Sequence, residues 1–104
     1  MIEAILQKRQ DTYEVQVVGH ANYDETGKDI VCAAVSILVE SFETYCEETS
    51  GIRIMDKTLQ PGIAMYFVTG DKTLIEPAYN MLKIGIEMLS ENFSKNIICR
   101  GEKN

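Results

Sequence analysis

Gly19-His20-Ala21-Asn22-Tyr23-Asp24-Glu25-Thr26-Gly27-Lys28-Asp29-Ile30-Val31-Cys32-Ala33-Ala34-Val35-Ser36 is the stretch in which this chain changes its period. Before it, Tyr13-Glu14-Val15-Gln16-Val17 alternates large or β-branched residues with polar ones, as a half-buried strand does. After it begins, Val31, Val35, Leu38, Phe42 and Tyr45 recur at helical spacing, with Ala34, Val39 and Cys46 widening the stripe. Between the two patterns, His20 to Lys28 is polar, has no periodicity and is longer than a hairpin needs. Asp29 stands directly ahead of the apolar series and suits a helix N-cap. The stretch reads as strand end, loop and capped helix, with the helix running from about Ile30 to Glu48.

Outward from this point the remaining elements follow. Ile2 to Lys8 is β-rich and Gln10-Asp11 can turn, so the first two strands form an antiparallel hairpin ending at Gly19. Ser50-Gly51 closes the first helix. Ile52 to Met55 and Ala64 to Val68 are strands flanking Gln60-Pro61-Gly62, whose Pro-Gly pair fits a type II turn. A second helix is expected over roughly Leu74 to Asn92, with Thr73 to Glu76 patterned as a capping box. Its expected inner stripe is Leu74, Ala78, Met81, Leu82, Gly85 and Leu89, with Gly85 packed closely against a neighbour. Lys95 to Cys99 reads as a last edge strand. The fold class is α+β in the order ββαββαβ, with two helices packed on an antiparallel or mixed sheet. Glu40, Glu43, Glu47 and Glu48 are expected on a solvated helix face. Ala33 and Ile37 fall off the core stripe, which implies cover from a second subunit. The sheet face away from the helices must be polar or occluded by a partner.

At 104 residues the chain is one domain, 1–104. Ten Lys and Arg against sixteen Asp and Glu leave a formal charge of −6. An acidic surface disfavours general binding to nucleic acid or to anionic membranes, and it attracts basic partners. The N-terminus lacks the basic lead-in and apolar length of a secretory signal, and no stretch has the apolar length of a membrane span. The three cysteines, Cys32, Cys46 and Cys99, are too few and too widely spaced for a disulfide framework, which fits a cytoplasmic protein. With His20 the single histidine and no CxxC pair, neither a metal site nor another cofactor is expected.

If Asp29 is the N-cap, Cys32 is the third helical residue. Unpaired backbone N–H groups and the positive end of the helix dipole favour a thiolate there. His20 opens the loop that returns to this helix start, so an imidazole–thiol pair is feasible. Free N–H groups of the first turn are candidate oxyanion donors. Asp29 can cap the helix or orient His20, and Ser36 lies one turn beyond Cys32 on the same flank. Each residue also has a plain reading. Cys32 suits a small buried hydrophobe, His20 a surface residue, Asp29 a simple cap and Ser36 a packing hydroxyl. Cys46 and Cys99 sit in apolar faces and read as structural. Tyr23 is either a recognition aromatic lining a substrate pocket or incidental. The polar loop is expected to be mobile without substrate and to close over it.

Gly19-His20-Ala21 followed by Gly27 and by Asp29-Ile30-Val31-Cys32-Ala33-Ala34-Val35-Ser36 resembles the signature of Prp, the bacterial ribosomal-processing cysteine protease family. The likeness extends over nearly the whole chain, including the opening strand and the Pro61-Gly62 turn. It implies a cysteine endopeptidase that removes the N-terminal extension of large-subunit ribosomal protein L-twenty-seven, cutting after an aromatic pair. It implies a catalytic dyad of His20 and Cys32, supported by Gly19, Asp29 and Ser36. The substrate loop would include Ala21, Asn22, Tyr23 and Gly27, and the protein would be a homodimer. The alternative is a non-catalytic ribosome-associated assembly or binding factor, in which Cys32 is packing.

Overall fold

Strand alternation puts Tyr13, Val15 and Val17 on one face of the second strand, and all three are buried. The architecture is that of a computed structural model, which describes residues 1–25 and 28–101. It runs β1 (Ile2–Arg9), β2 (Thr12–Val18), α1 (Ile30–Glu48), β3 (Ile52–Gln60), β4 (Ile63–Gly70), α2 (Lys72–Asn92) and β5 (Ile97–Arg100). The order is ββαββαβ, as the periodicity implies. The five strands form one sheet in the order β3-β4-β2-β1-β5. It is mixed: β5 runs parallel to β1, pairing Ile2 with Ile97, and the other neighbours are antiparallel. Both helices cover one sheet face. Val31, Val35, Val39, Phe42 and Cys46 of α1 and Ile75, Tyr79, Leu82 and Ile86 of α2 meet Leu6, Tyr13, Val15 and Tyr66 in the core. Fully burying such side chains stabilises the fold by roughly 1.5–3 kcal/mol each.

Four sequence expectations change. The N-cap of α2 is Asp71, which accepts from the Thr73 N–H at 2.9 Å, so Thr73 lies inside the helix and does not open a capping box. The buried stripe of α2 is Ile75, Tyr79, Leu82 and Ile86, and Met81 is 73% exposed. The helix carries apolar residues on both faces, which blurs its period. Leu38 of α1 nevertheless packs close to Gly85, where a Cβ would come within 2.9 Å of it. Strand β3 does not end at Met55. Its pairing with β4 resumes at Thr58 after an irregularity, with Asp56 at a φ of 52°. Lys57, raised in that irregularity, reaches the carboxylates of Glu43 and Glu47, each at 3.1 Å. Glu43 is therefore buried and paired, not solvated.

The outer side of the helix layer carries a set of exposed apolar residues. Ile30, Ala33 and Ile37 of α1 and Met81, Ile84 and Met88 of α2 are exposed. The open face of the sheet mixes Glu3, Gln7, Glu14 and Gln16 with Ile5, Val18, Ile63 and Phe67. No helix among the described residues is long and apolar enough to cross a membrane.

Candidate active site

The site begins where β2 leaves the sheet. Gly19 has a φ of 104° and donates its N–H to the Gly62 carbonyl at 2.8 Å. A Cβ at Gly19 would collide with the Met1 carbonyl oxygen, so only glycine passes between the N-terminus and the β3–β4 turn. His20 follows and is exposed. Its ring lies against Gly62, where a Cβ would stand 2.8 Å from Nε2. Gly62 itself, at a φ of 79°, takes the position in a Pro-Gly turn that favours glycine.

The next residues are tied down. Ala21 is buried. Its N–H donates to Cys32 Sγ at 3.4 Å, and its carbonyl accepts from Asn96 Nδ2 at 3.0 Å. Asn22 turns the chain with a φ of 54°, a conformation asparagine tolerates. The N–H groups of Tyr23 and Asp24 then donate to Asp29 Oδ2 at 2.9 and 3.3 Å. The first half of the loop thus has anchors that its polar composition does not announce.

Asp29 caps α1 as expected. Its Oδ1 accepts from the Val31 and Cys32 N–H groups, both at 3.0 Å. Desolvation pushes its carboxyl upward, but bonds from the Cys32, Tyr23, Asp24 and Val31 N–H groups together outweigh that and hold it below the usual carboxylate range. These bonds all go to backbone and none to His20. They also narrow the expectation of free oxyanion donors in the first turn. The Val31 and Cys32 N–H groups are taken by the cap, and that of Ala33 by the Asp29 carbonyl at 3.1 Å.

Cys32 and His20 line the same open groove, of about 400 Å³. Its floor is apolar, with Ile2, Val17, Val35 and Val39. One wall is the flank of α1 carrying Cys32, Ser36 and Glu40, and the other is the β3–β4 hairpin from Leu59 to Ala64. Of the residues singled out in the sequence, Gly19, His20, Cys32 and Ser36 line the groove. Asp29 and Ala21 stand behind it. Asn22 and Tyr23 are not in its wall. Tyr23 packs edge-on against Phe93, with ring centroids 5.3 Å apart, because the turn at Asn22 sends it toward the end of α2. Gly27 lies outside the described residues. Sequence reasoning missed Glu40 and the hairpin wall. The hairpin could be read as a turn, but nothing local says that its tip meets His20.

The other two thiols are elsewhere. Burial, and then the nearby Glu43 and Glu47, push the Cys46 thiol up to about 11. Burial also raises Cys99, on the edge strand β5. Among the described residues no three His, Cys, Asp or Glu side chains gather as a metal site. A thiol and an imidazole line one groove, and these are the residue types that acyl transfer by a nucleophile and a base would use.

Comparison with known proteins leads to the same chemistry. Residues 1–98 match the model of a family described as cysteine protease Prp. The ribosomal processing cysteine protease Prp of Mycoplasma genitalium is 26% identical over 84 residues, covering 81% of this chain and 83% of that protein. The essential ribosomal processing protease Prp from S. aureus, solved with a covalently linked product peptide, has a TM-score of 0.81 at 19% identity. That match covers 98% of this chain and 100% of the other. The S. aureus protease with a substrate peptide gives a TM-score of 0.72 at 19% identity, over 98% of this chain and 100% of that one. SMU.848 from Streptococcus mutans gives 0.73 at 24% identity, over 100% of this chain and 96% of the other. These likenesses to solved structures show the fold, and the family match spans nearly the whole sequence. The chain belongs to the Prp family of cysteine proteases.

Proposed function

We propose that this protein is an endopeptidase working through a His20–Cys32 dyad, and that it removes the N-terminal extension of ribosomal protein L-twenty-seven during ribosome assembly. The observation that carries the reading is the shared groove. The chain's single histidine and the cysteine of the first helical turn both line it, above an apolar floor. In the reaction, His20 takes the Cys32 proton and Sγ attacks the scissile carbonyl carbon. The C–N bond breaks as His20 returns the proton to the leaving amine, which leaves a thioester on Cys32. His20 then draws a proton from water, whose oxygen attacks the thioester and restores the thiol. Gly19 and Asp29 act behind the dyad, the first by letting the strand turn out and the second by fixing loop and helix start together. Ser36 supports the nucleophile's flank of the groove.

The substrate assignment draws on the named activity of the M. genitalium and S. aureus relatives, the latter solved with peptides. Charge is consistent with it, since ribosomal proteins are basic and this chain carries −6. A cytoplasmic location follows from such a substrate. The exposed strip of Ile30, Ala33, Ile37, Met81, Ile84 and Met88 suits the interface of a homodimer. The non-catalytic alternative has no observation in its favour, because it leaves a thiol and an imidazole facing a groove without purpose. The test is mass spectrometry of extended L-twenty-seven incubated with the protein and with Cys32→Ala. A single cut that removes the extension, made only by the unaltered protein, is expected. An intact substrate in both incubations would sink the assignment.

A further inference from the structure

Cys32, Ser36 and Glu40 stand at four-residue intervals along α1 and line the same wall of the groove. Glu40 is the single carboxylate among the groove-lining residues, and no lysine or arginine lines the groove with it. The other charged groups of this flank are already matched. Glu43 and Glu47 both pair with Lys57, whereas Glu40 is exposed and makes no ion pair among the described residues. An unpaired negative charge therefore lies on the α1 wall two helical turns from the nucleophile, in a groove whose floor is apolar and whose polar lining is otherwise His20, Ser36 and Gln60.

We infer that Glu40 is a specificity residue, selecting a lysine or arginine of the substrate at a fixed distance from the scissile bond. The inference rests on the groove being the peptide site proposed above. Glu40 lies eight positions along the helix from Cys32, a rise of about 12 Å at 1.5 Å per residue. An extended peptide advances about 3.3 Å per residue. The selected side chain thus belongs about three or four residues from the cut. Between Cys32 and Glu40 the floor of Val35 and Val39 and the hairpin residues Leu59 and Ile63 favour apolar side chains. The substrate class is a peptide with apolar residues nearest the cut and a basic residue about one helix-wall length away.

The experiment uses peptides with an aromatic pair before the cut and Lys, Gln or Glu at the third or fourth residue on either side. Cleavage by the unaltered protein, Glu40→Gln and Glu40→Lys is measured. Binding of the same peptides is measured by fluorescence anisotropy on each of the three combined with Cys32→Ala. The expected order on the unaltered protein is Lys over Gln over Glu at one of these positions, by about three- to fivefold per step. It flattens in Glu40→Gln and reverses in Glu40→Lys, with the effect in KM and in binding, not in kcat. The preference shrinks as salt rises. A structural role for Glu40 cannot produce a reversal that follows the peptide's charge. The same charge order in all three proteins at every position overturns the inference, as does failure of every peptide to bind. Charge-dependent binding without cleavage would uphold the role of Glu40 and overturn the dyad instead.

Discussion

Asp29 and Asp71 both cap a helix, yet Asp29 collects four backbone N–H groups and Asp71 collects one, together with the hydroxyl of Thr73. The helices are fed differently. Strand β4 runs into α2 through Asp71 alone, whereas nine residues separate Gly19, just past the end of β2, from Asp29. Two of Asp29's bonds come from the incoming segment, so this cap holds a loop and a helix in one frame. That frame places Ala21 on Cys32, and Cys32 on the groove. One residue type in one cap position can close a helix or assemble a site, and the length of chain arriving at it decides which.

The largest expected effect compares equivalent positions, Cys32 and Leu74, each the third residue of its helix. Cys32→Ala should abolish cleavage and leave the melting temperature nearly unchanged. Leu74→Ala should lose about 1–2 kcal/mol of stability at the second helix and keep its rate constant. A rate loss in Leu74→Ala without unfolding would erase the distinction between the two helix starts. Next comes His20, at the head of the long segment. His20→Ala should retain peptide binding and lose about 10²–10⁴-fold in kcat. A wild-type rate constant in single-turnover assays would remove the histidine from the chemistry.

The caps themselves come third. Asp29→Ala should cost about 1 kcal/mol and also lower kcat about ten- to hundredfold, because the thiol and the loop lose their common anchor. Asp71→Ala should lower stability with no change in kcat. Equal kinetics in the two variants would reduce Asp29 to a plain cap. Hydrogen exchange sharpens the point, since residues 21–24 should be protected without substrate in the unaltered protein and lose protection in Asp29→Ala. The smallest effect is in acid. Both carboxyls titrate below their ordinary value, so their contribution to stability is present above about pH 4 and is lost as pH falls through the lower folded values. The melting-temperature gap between the unaltered protein and Asp29→Ala should therefore shrink toward pH 3. A constant gap would mean that the charge of the cap contributes nothing.

Some of this was legible in the residues and some was not. The alternation from Tyr13 to Val17 and the cap at Asp29 are local signals, and both gave the right elements. The parallel pairing of β5 with β1 is not local, because a four-residue strand carries no record of its neighbour. The burial of Glu43 depends on Lys57, which an irregularity in β3 lifts toward it. The inner stripe of α2 was misread because Met81, Ile84 and Met88 give that helix a second apolar side. His20 and Cys32 could be named from sequence as candidates, but the groove that both line could not. Its second wall comes from a hairpin more than twenty residues downstream of Cys32, and Glu40 gains meaning only beside that wall.

The close passage of Gly19 beside the Met1 carbonyl bears on how the protein can be handled. Met1 lies next to the residue that leads into His20, and Ile2 is part of the groove floor. An affinity tag fused ahead of Met1 would exit at the mouth of the groove, where a flexible tail can occupy it at high effective concentration. Parallel pairing carries β5 the other way, from Ile97 beside Ile2 to Arg100 beside Ile5 and on to Gly101 at Leu6. A tag placed beyond Gly101 would leave from the far end of the sheet. Purification handles, dyes and surface tethers therefore belong at the C-terminal side, and an N-terminal fusion becomes a tethered competitor of the peptide under assay.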